Sequence, residues 1–176
     1  METSPHTEFP SDSLSPGSQD ERQALRLWLR LLGCTHRLEQ ALGQRLRRQF
    51  GTSLARFDYL AQLQPSPEGL RMNALSRRLR VTGGNVTGLT DQLLAEGWVT
   101  REVDPHDRRS HIVRITPLGR SRFEHMAVAH RAWVDALLAG VDTHDRQLLH
   151  RLLGGLAKTL DSLPPDNLPE PAAQRH

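Results

Sequence analysis

Two runs of β-branched residues flank the stretch Asp104-Pro105-His106-Asp107-Arg108-Arg109. Proline and the two aspartates mark it as a turn. Arg108 and Arg109 therefore stand side by side at an exposed tip, where like charges repel unless an anion is near. The planar guanidinium fork suits phosphate oxygens, and a narrow minor groove concentrates the negative potential that draws such a group in. Asp107 is expected to brace one guanidinium while the other enters the groove. A second set lies upstream, in Thr82, Gly84, Asn85, Thr87, Gly88 and Thr90. The glycines would let a backbone come close to DNA. The asparagine and threonine side chains suit phosphates or base edges, Asn pairing bidentately with adenine.

Other chemistries find less support. Gly83 to Thr90 has the glycine spacing of a phosphate-cradling loop, but Leu89 stands where such a loop needs lysine, so no nucleotide and no other cofactor is expected. Cys34 is the single cysteine, which excludes internal disulfides and cysteine-rich zinc sites; a small buried residue is the expectation. His125 and His130 are five apart, a spacing that splays them on a helix, and no His-Glu-x-x-His cluster occurs, so no metal is expected. No nucleophile, base and orienter share a motif, so the chain is not expected to be an enzyme. The competing reading is a ligand- or redox-sensing helical protein that uses the Cys34 thiol and binds DNA weakly.

The elements that must hold these groups are mostly helical. From about Asp20 to Phe50 apolar residues recur at threes and fours, on more than one side, and Gly51 supplies the stop. Thr52-Ser53 can cap a short second helix, "LARFDYLAQL", which "QPSPEG" ends. "MNALSRRL" makes a third. Thr82 can cap a fourth running to Gly97, with Val86, Leu89 and Leu93 on one side and Gly84, Gly88 and Asp91 opposite. "WVTREVD" and "SHIVRIT" read as two strands joined at "PHDRR". Pro117 opens a fifth helix, and Asp142-Thr143 caps a sixth rich in leucine. The fold class is thus mainly α with a small β-hairpin wing. A winged helix-turn-helix occupies about residues 54–116, and dimerisation helices occupy about 20–50 and 117–160. In that arrangement the fourth helix enters the major groove and the hairpin an adjacent minor groove.

Charge is distributed to match. The 176 residues carry a net charge of +3, yet residues 1–19 hold three acids and no Lys or Arg, and residues 161–176 hold three acids against Arg175. The middle keeps 22 basic residues against 14 acidic ones, and all but Lys158 are arginine. Both tails, 1–19 and 161–176, are rich in proline and poor in apolar residues and are expected to be disordered. The first twenty residues lack the basic start and apolar stretch of a secretory signal, and no run approaches the length of a membrane span, so a cytoplasmic protein is expected.

The span "NVTGLTDQLLAEGWVTREVDPHDRRSHIVRITPLG" resembles the signature of the MarR family of bacterial regulators. The likeness runs through Gly97, Trp98-Val99, Asp107-Arg108-Arg109, Thr116 and Gly119, and extends over about residues 20–160. Many members have Arg where this chain has His106, a change that would make wing binding pH-sensitive. The resemblance implies an obligate homodimer built from the first, fifth and sixth helices. It also implies a repressor released from double-stranded DNA by a small molecule held between those helices and the winged lobe. "LARFDYLAQL" and "RMNALSRRLRVTGGNVTGLTDQL" are most similar to a subgroup controlling breakdown of benzoate- and hydroxycinnamate-type acids, some of which respond to the coenzyme A thioester. On that basis Trp28 and Phe57 would form a flat apolar wall, and His36, Arg37 or Arg56 would receive a carboxylate or phosphate. Independently of the resemblance, the leucines of the sixth helix and both ends of the first exceed what one small winged domain can cover, so a second copy is the economical cover.

Overall fold

The computed structural model describes residues 19–163. Its elements are α1 (Gln19–Phe50), α2 (Leu54–Leu63), β1 (Leu70–Arg71), α3 (Met72–Leu79), α4 (Gly83–Ala95), β2 (Val99–Asp104), β3 (Asp107–Ile115), α5 (Pro117–Leu137) and α6 (Thr143–Ser162). This is the mainly helical fold with a small antiparallel sheet that the sequence pattern implies. It forms two compact units, one ending at Arg131 and one starting at Ala132. Most of the two expected disordered tails lies outside the described residues. At their inner edges Gln19 opens α1, and Asp161 and Ser162 complete the last turn of α6.

The core of the first unit is mainly aliphatic, with Phe57 and Tyr59 as its buried aromatic residues. Leu46, Leu60, Leu63, Leu75, Leu93 and Val113 are fully buried, and each such side chain contributes about 1.5–3 kcal/mol over an exposed one. Helix starts follow local chemistry: the Ser53 hydroxyl accepts the Arg56 N–H at 3.3 Å, and Asp142 accepts the Asp145 N–H at 2.8 Å. The sheet has the order β1-β3-β2. Strand β1 has only two residues, too few to show an alternation, which is why the sequence pattern passes over it. It pairs Leu70 with Val113 and Arg71 with Ile112. Gly69 permits the approach: it has φ +81, and a Cβ there would lie 2.5 Å from the Val113 carbonyl oxygen.

Helix α1 changes character along its length. Leu42 and Leu46 are buried, whereas Leu27 and Trp28 are each 57% exposed. In the second unit α6 buries no residue, and Leu152 and Leu160 are among its exposed leucines. Cys34, expected to be buried, is exposed on α1. Among the described residues no helix is long and apolar enough to cross a membrane.

Candidate nucleic-acid interface

Helices α3 and α4 are joined by a tight turn. Arg80 takes the left-handed conformation (φ 53, ψ 39), and its N–H closes back on the carbonyls of Arg77 and Ser76. Ser76 Oγ donates to the Val81 carbonyl at 2.6 Å and locks the same turn from the other side. Helix α4 then begins at Thr82, which has extended backbone but makes no side-chain cap hydrogen bond. The positive end of the α4 dipole is therefore left open to an anion. Gly84, Asn85, Thr87 and Gly88 are exposed on this helix, and no other group lies within 4 Å of where a Cβ would stand at Gly83, Gly84 or Gly88. The Thr87 hydroxyl donates back to the Gly83 carbonyl at 3.1 Å.

Thr90 does not join this face. It is 0% exposed; its hydroxyl donates to the Val86 carbonyl at 2.7 Å and lies 2.6 Å from the Tyr59 hydroxyl. One threonine proton cannot serve both, so Tyr59 donates to Thr90 Oγ1. Burial pushes the Tyr59 pKa up to about 12. Thr90 thus joins α4 to α2 and has no route to DNA.

The wing differs from the sequence expectation in two respects. The turn is confined to Pro105 and His106, because β3 already begins at Asp107, which pairs with Asp104. Arg108 and Arg109 therefore sit on a strand, both exposed, and neither makes an ion pair among the described residues. Nor does Asp107 brace a guanidinium: its carboxylate accepts the Arg109 backbone N–H at 3.0 Å. Asp104 repeats the pattern two residues earlier, accepting the His106 N–H at 2.8 Å, while its other oxygen is 2.6 Å from Arg71 Nε. The backbone bond from His106, then Arg71, holds the Asp104 carboxyl below the usual carboxylate range. Two further pairs tie the ribbon down: Arg101 with Asp91 of α4 at 2.9 Å, and Arg114 with Glu102 across the strands at 2.6 Å.

At the root of the wing Thr116 does three things. Its N–H reaches the Trp98 carbonyl at 3.0 Å, its hydroxyl donates to the Gly97 carbonyl at 2.8 Å, and its oxygen accepts the Gly119 N–H at 3.0 Å, capping α5. Gly119 packs so closely on the Trp98 backbone that a Cβ would lie 2.0 Å from its carbonyl oxygen. Threonine and glycine at this spacing are thereby explained.

Comparison with known proteins places the arrangement. Residues 50–110 match a model of the MarR family. A MarR family transcriptional regulator from Silicibacter pomeroyi superposes with a TM-score of 0.72 at 31% identity, covering 82% of this chain and 99% of that one. The chain belongs to the MarR family. This regulator is also 32% identical over 144 residues to the transcriptional activatory protein BadR of Rhodopseudomonas palustris, covering 80% of this chain and 79% of BadR. It shares its fold, at 23% identity and a TM-score of 0.71, with the MarR family regulator Sco3205 of Streptomyces coelicolor, solved in complex with DNA; the match covers 85% of this chain and 91% of that one. It is thus a transcriptional regulator with the DNA-binding fold of its family.

The residues expected to receive a small molecule are not gathered into one site. Phe57 is a core residue, stacked on Phe123 at 5.3 Å and on His130 at 4.4 Å between ring centres. Arg56 pairs with Glu96 and lies over the Trp98 ring at 4.8 Å, so its charge is already engaged. Trp28, His36 and Arg37 are exposed on α1, His36 bonded to Gln40 at 2.9 Å. None of the five lines the cleft of about 320 Å³ bounded by Gln49, Phe50, Trp98, Arg122, His125 and Met126. Sequence reasoning also passed over Asp104 and Arg71. The repeated Asp-x-x motif at 104 and 107, each aspartate two residues before the N–H it holds, was the available signal; nothing local announces Arg71.

Proposed function

We propose that this regulator is a homodimer that occupies a pseudo-palindromic operator and represses transcription until a small aromatic acid, or its coenzyme A thioester, releases it. The observation that carries the DNA part is the pairing, within one unit, of an open, glycine-lined start to α4 with two wing guanidiniums that have no ion-pair partner among the described residues. Thr82, Gly84, Asn85, Thr87 and Gly88 would meet the major groove, and Arg108 and Arg109 the minor groove. Asp107 shapes the backbone beneath them. Operator binding puts the working protein in the cytoplasm, and no catalysis or cofactor enters the reading.

Dimerisation is supported by the exposed Leu27, Trp28 and Leu32 of α1 and the exposed leucines of α6. A two-fold pair sets the recognition helices about 34 Å apart, one turn of DNA. An effector need only bind better to a dimer with the wrong helix spacing. What supports a flat acid is the lining of the cleft beside Trp98, which includes Phe50, Trp98 and His125 together with Arg122.

The test is a salt titration of duplex binding, with wild type set against the Arg108→Ala, Arg109→Ala protein. Loss of two phosphate-region charges should weaken binding and lower the salt slope by roughly two. Unchanged affinity and slope would remove the wing from the mechanism. A promoter fusion decides the sign of control: expression should rise when the gene is deleted, and a fall would make the protein an activator, as BadR is named.

A further inference from the structure

We propose that Arg71 is a positioning residue for the wing: its ion pair with buried Asp104 ties the hairpin tip to the start of α3 and so fixes where Arg108 and Arg109 meet DNA. The inference rests on the DNA-binding reading above and adds to it a residue outside both the recognition helix and the hairpin.

The backbone leaves the tip in need of such a tie. Strand β1 pairs with β3 only at Ile112 and Val113, and on the other side the β2 register jumps from Val103–His111 to Asp104–Asp107, so Arg108 to Ser110 bulge out with no strand partner on either side. A two-stranded ribbon is marginal alone even where it is paired. The jump loosens the ladder where the tip begins. Arg71 is the last residue of β1 and the N-cap residue of α3, and its side chain reaches this very point.

Asp104 is built to receive it. The residue is 1% exposed, and its carboxylate is divided between the His106 N–H at 2.8 Å and Arg71 Nε at 2.6 Å. One oxygen shapes the turn; the other fastens the turn to the helix-turn-helix. The Asp107 bond to the Arg109 N–H then carries the constraint two residues further, to the two guanidiniums. Buried ion pairs add little net stability but do fix one geometry. Arg71 itself stays half exposed, so its own packing contributes little, but removing it leaves the buried Asp104 carboxylate without its counter-charge; Asp104→Asn, which removes that charge, separates the two effects.

The experiment uses the full chain and a duplex that the wild type selects from a random pool. Affinity is measured for Arg71→Ala, Arg71→Lys and Asp104→Asn, each alone and combined with Arg108→Ala, Arg109→Ala. Arg71→Ala and Asp104→Asn should each weaken binding roughly tenfold in the wild-type background and hardly at all once the wing arginines are gone, the signature of coupled residues. Arg71→Lys, which keeps the charge, should restore part of the loss. Amide exchange should rise across residues 104–111 and stay unchanged in α4. Asp104→Asn keeps an acceptor for His106 and tests the ion pair even if another variant folds poorly. Equal losses in both backgrounds would mean that Arg71 touches DNA itself or supports the whole fold, and would overturn the proposal, as would no loss in either. Wild-type affinity and salt slope in the Arg108→Ala, Arg109→Ala protein alone would defeat the wing reading first, before any change at Arg71, and this proposal with it.

Discussion

At the scale of single residues the hydroxyl of Thr90 shows how a polar side chain on a recognition helix can belong to the core. It joins α4 to α2 through Tyr59, the only tyrosine in the chain. Thr90→Val would leave a buried phenol without its acceptor, at a cost of about 1–3 kcal/mol. The expected result is a lower thermal midpoint with unchanged affinity for duplex; a selective loss of affinity would return Thr90 to the interface. Tyr59 supplies a second measurement. Its folded pKa of about 12 lies above the ordinary phenol value of 10.0, so the neutral phenol is favoured by folding. That contribution is complete below pH 10 and is lost as pH rises towards 12. Phenolate absorbance should therefore be absent from the native protein at pH 10.5 and appear there on adding denaturant; equal absorbance in both states would contradict a buried Tyr59.

Among the elements, those with a strong local signal were legible from the sequence alone. Helices α2 and α3 have the expected bounds, because Ser53 caps one and the left-handed Arg80 ends the other, while Pro117 and Asp142 mark where α5 and α6 begin. On α4 the expected inward side of Val86, Leu89 and Leu93 holds for Val86 and Leu93, but Thr90 rather than Leu89 completes the buried stripe, because its hydroxyl is satisfied by the Val86 carbonyl and Tyr59. What stayed hidden depends on distant partners. Strand β1 exists only through β3, and two Asx bonds let β3 begin at Asp107 where composition suggested a longer turn. The residues expected to hold a ligand show the same dependence: an aromatic such as Phe57 reads alike as pocket wall or core until Phe123 and His130 are seen against it. Helix α4 yields its own prediction. Gly88 sits mid-helix with open space beyond it, so Gly88→Ala should stabilise the free protein by up to about 1 kcal/mol. If that space is where DNA approaches, affinity should fall while the melting temperature rises. A stabilised variant that binds as before would show that α4 does not press against the duplex.

For the whole molecule the open question is what covers the leucines. Leu152 and Leu156 are a helical turn apart on α6, 60% and 41% exposed, and Trp28 on α1 is exposed to a like degree. Isolated exposed leucines need no explanation, but a repeated stripe along one helix does. If a second copy covers it, Leu152→Glu with Leu156→Glu places four carboxylates in an apolar seam and should leave a monomer at micromolar concentration in sedimentation. Helix content should persist, because these side chains contribute nothing to the core of the first unit. The consequence for DNA follows from linkage: a dimer presents its second recognition helix at high effective concentration once the first is bound. Separating the copies should therefore cost roughly 10²- to 10⁴-fold on a two-half-site duplex and far less on a single half-site. Trp28→Glu tests the exposed apolar residues of α1 in their own right and should act in the same direction. A wild-type protein that sediments as a monomer, or a glutamate variant that stays dimeric with full operator affinity, would leave the fixed helix spacing without a structural source.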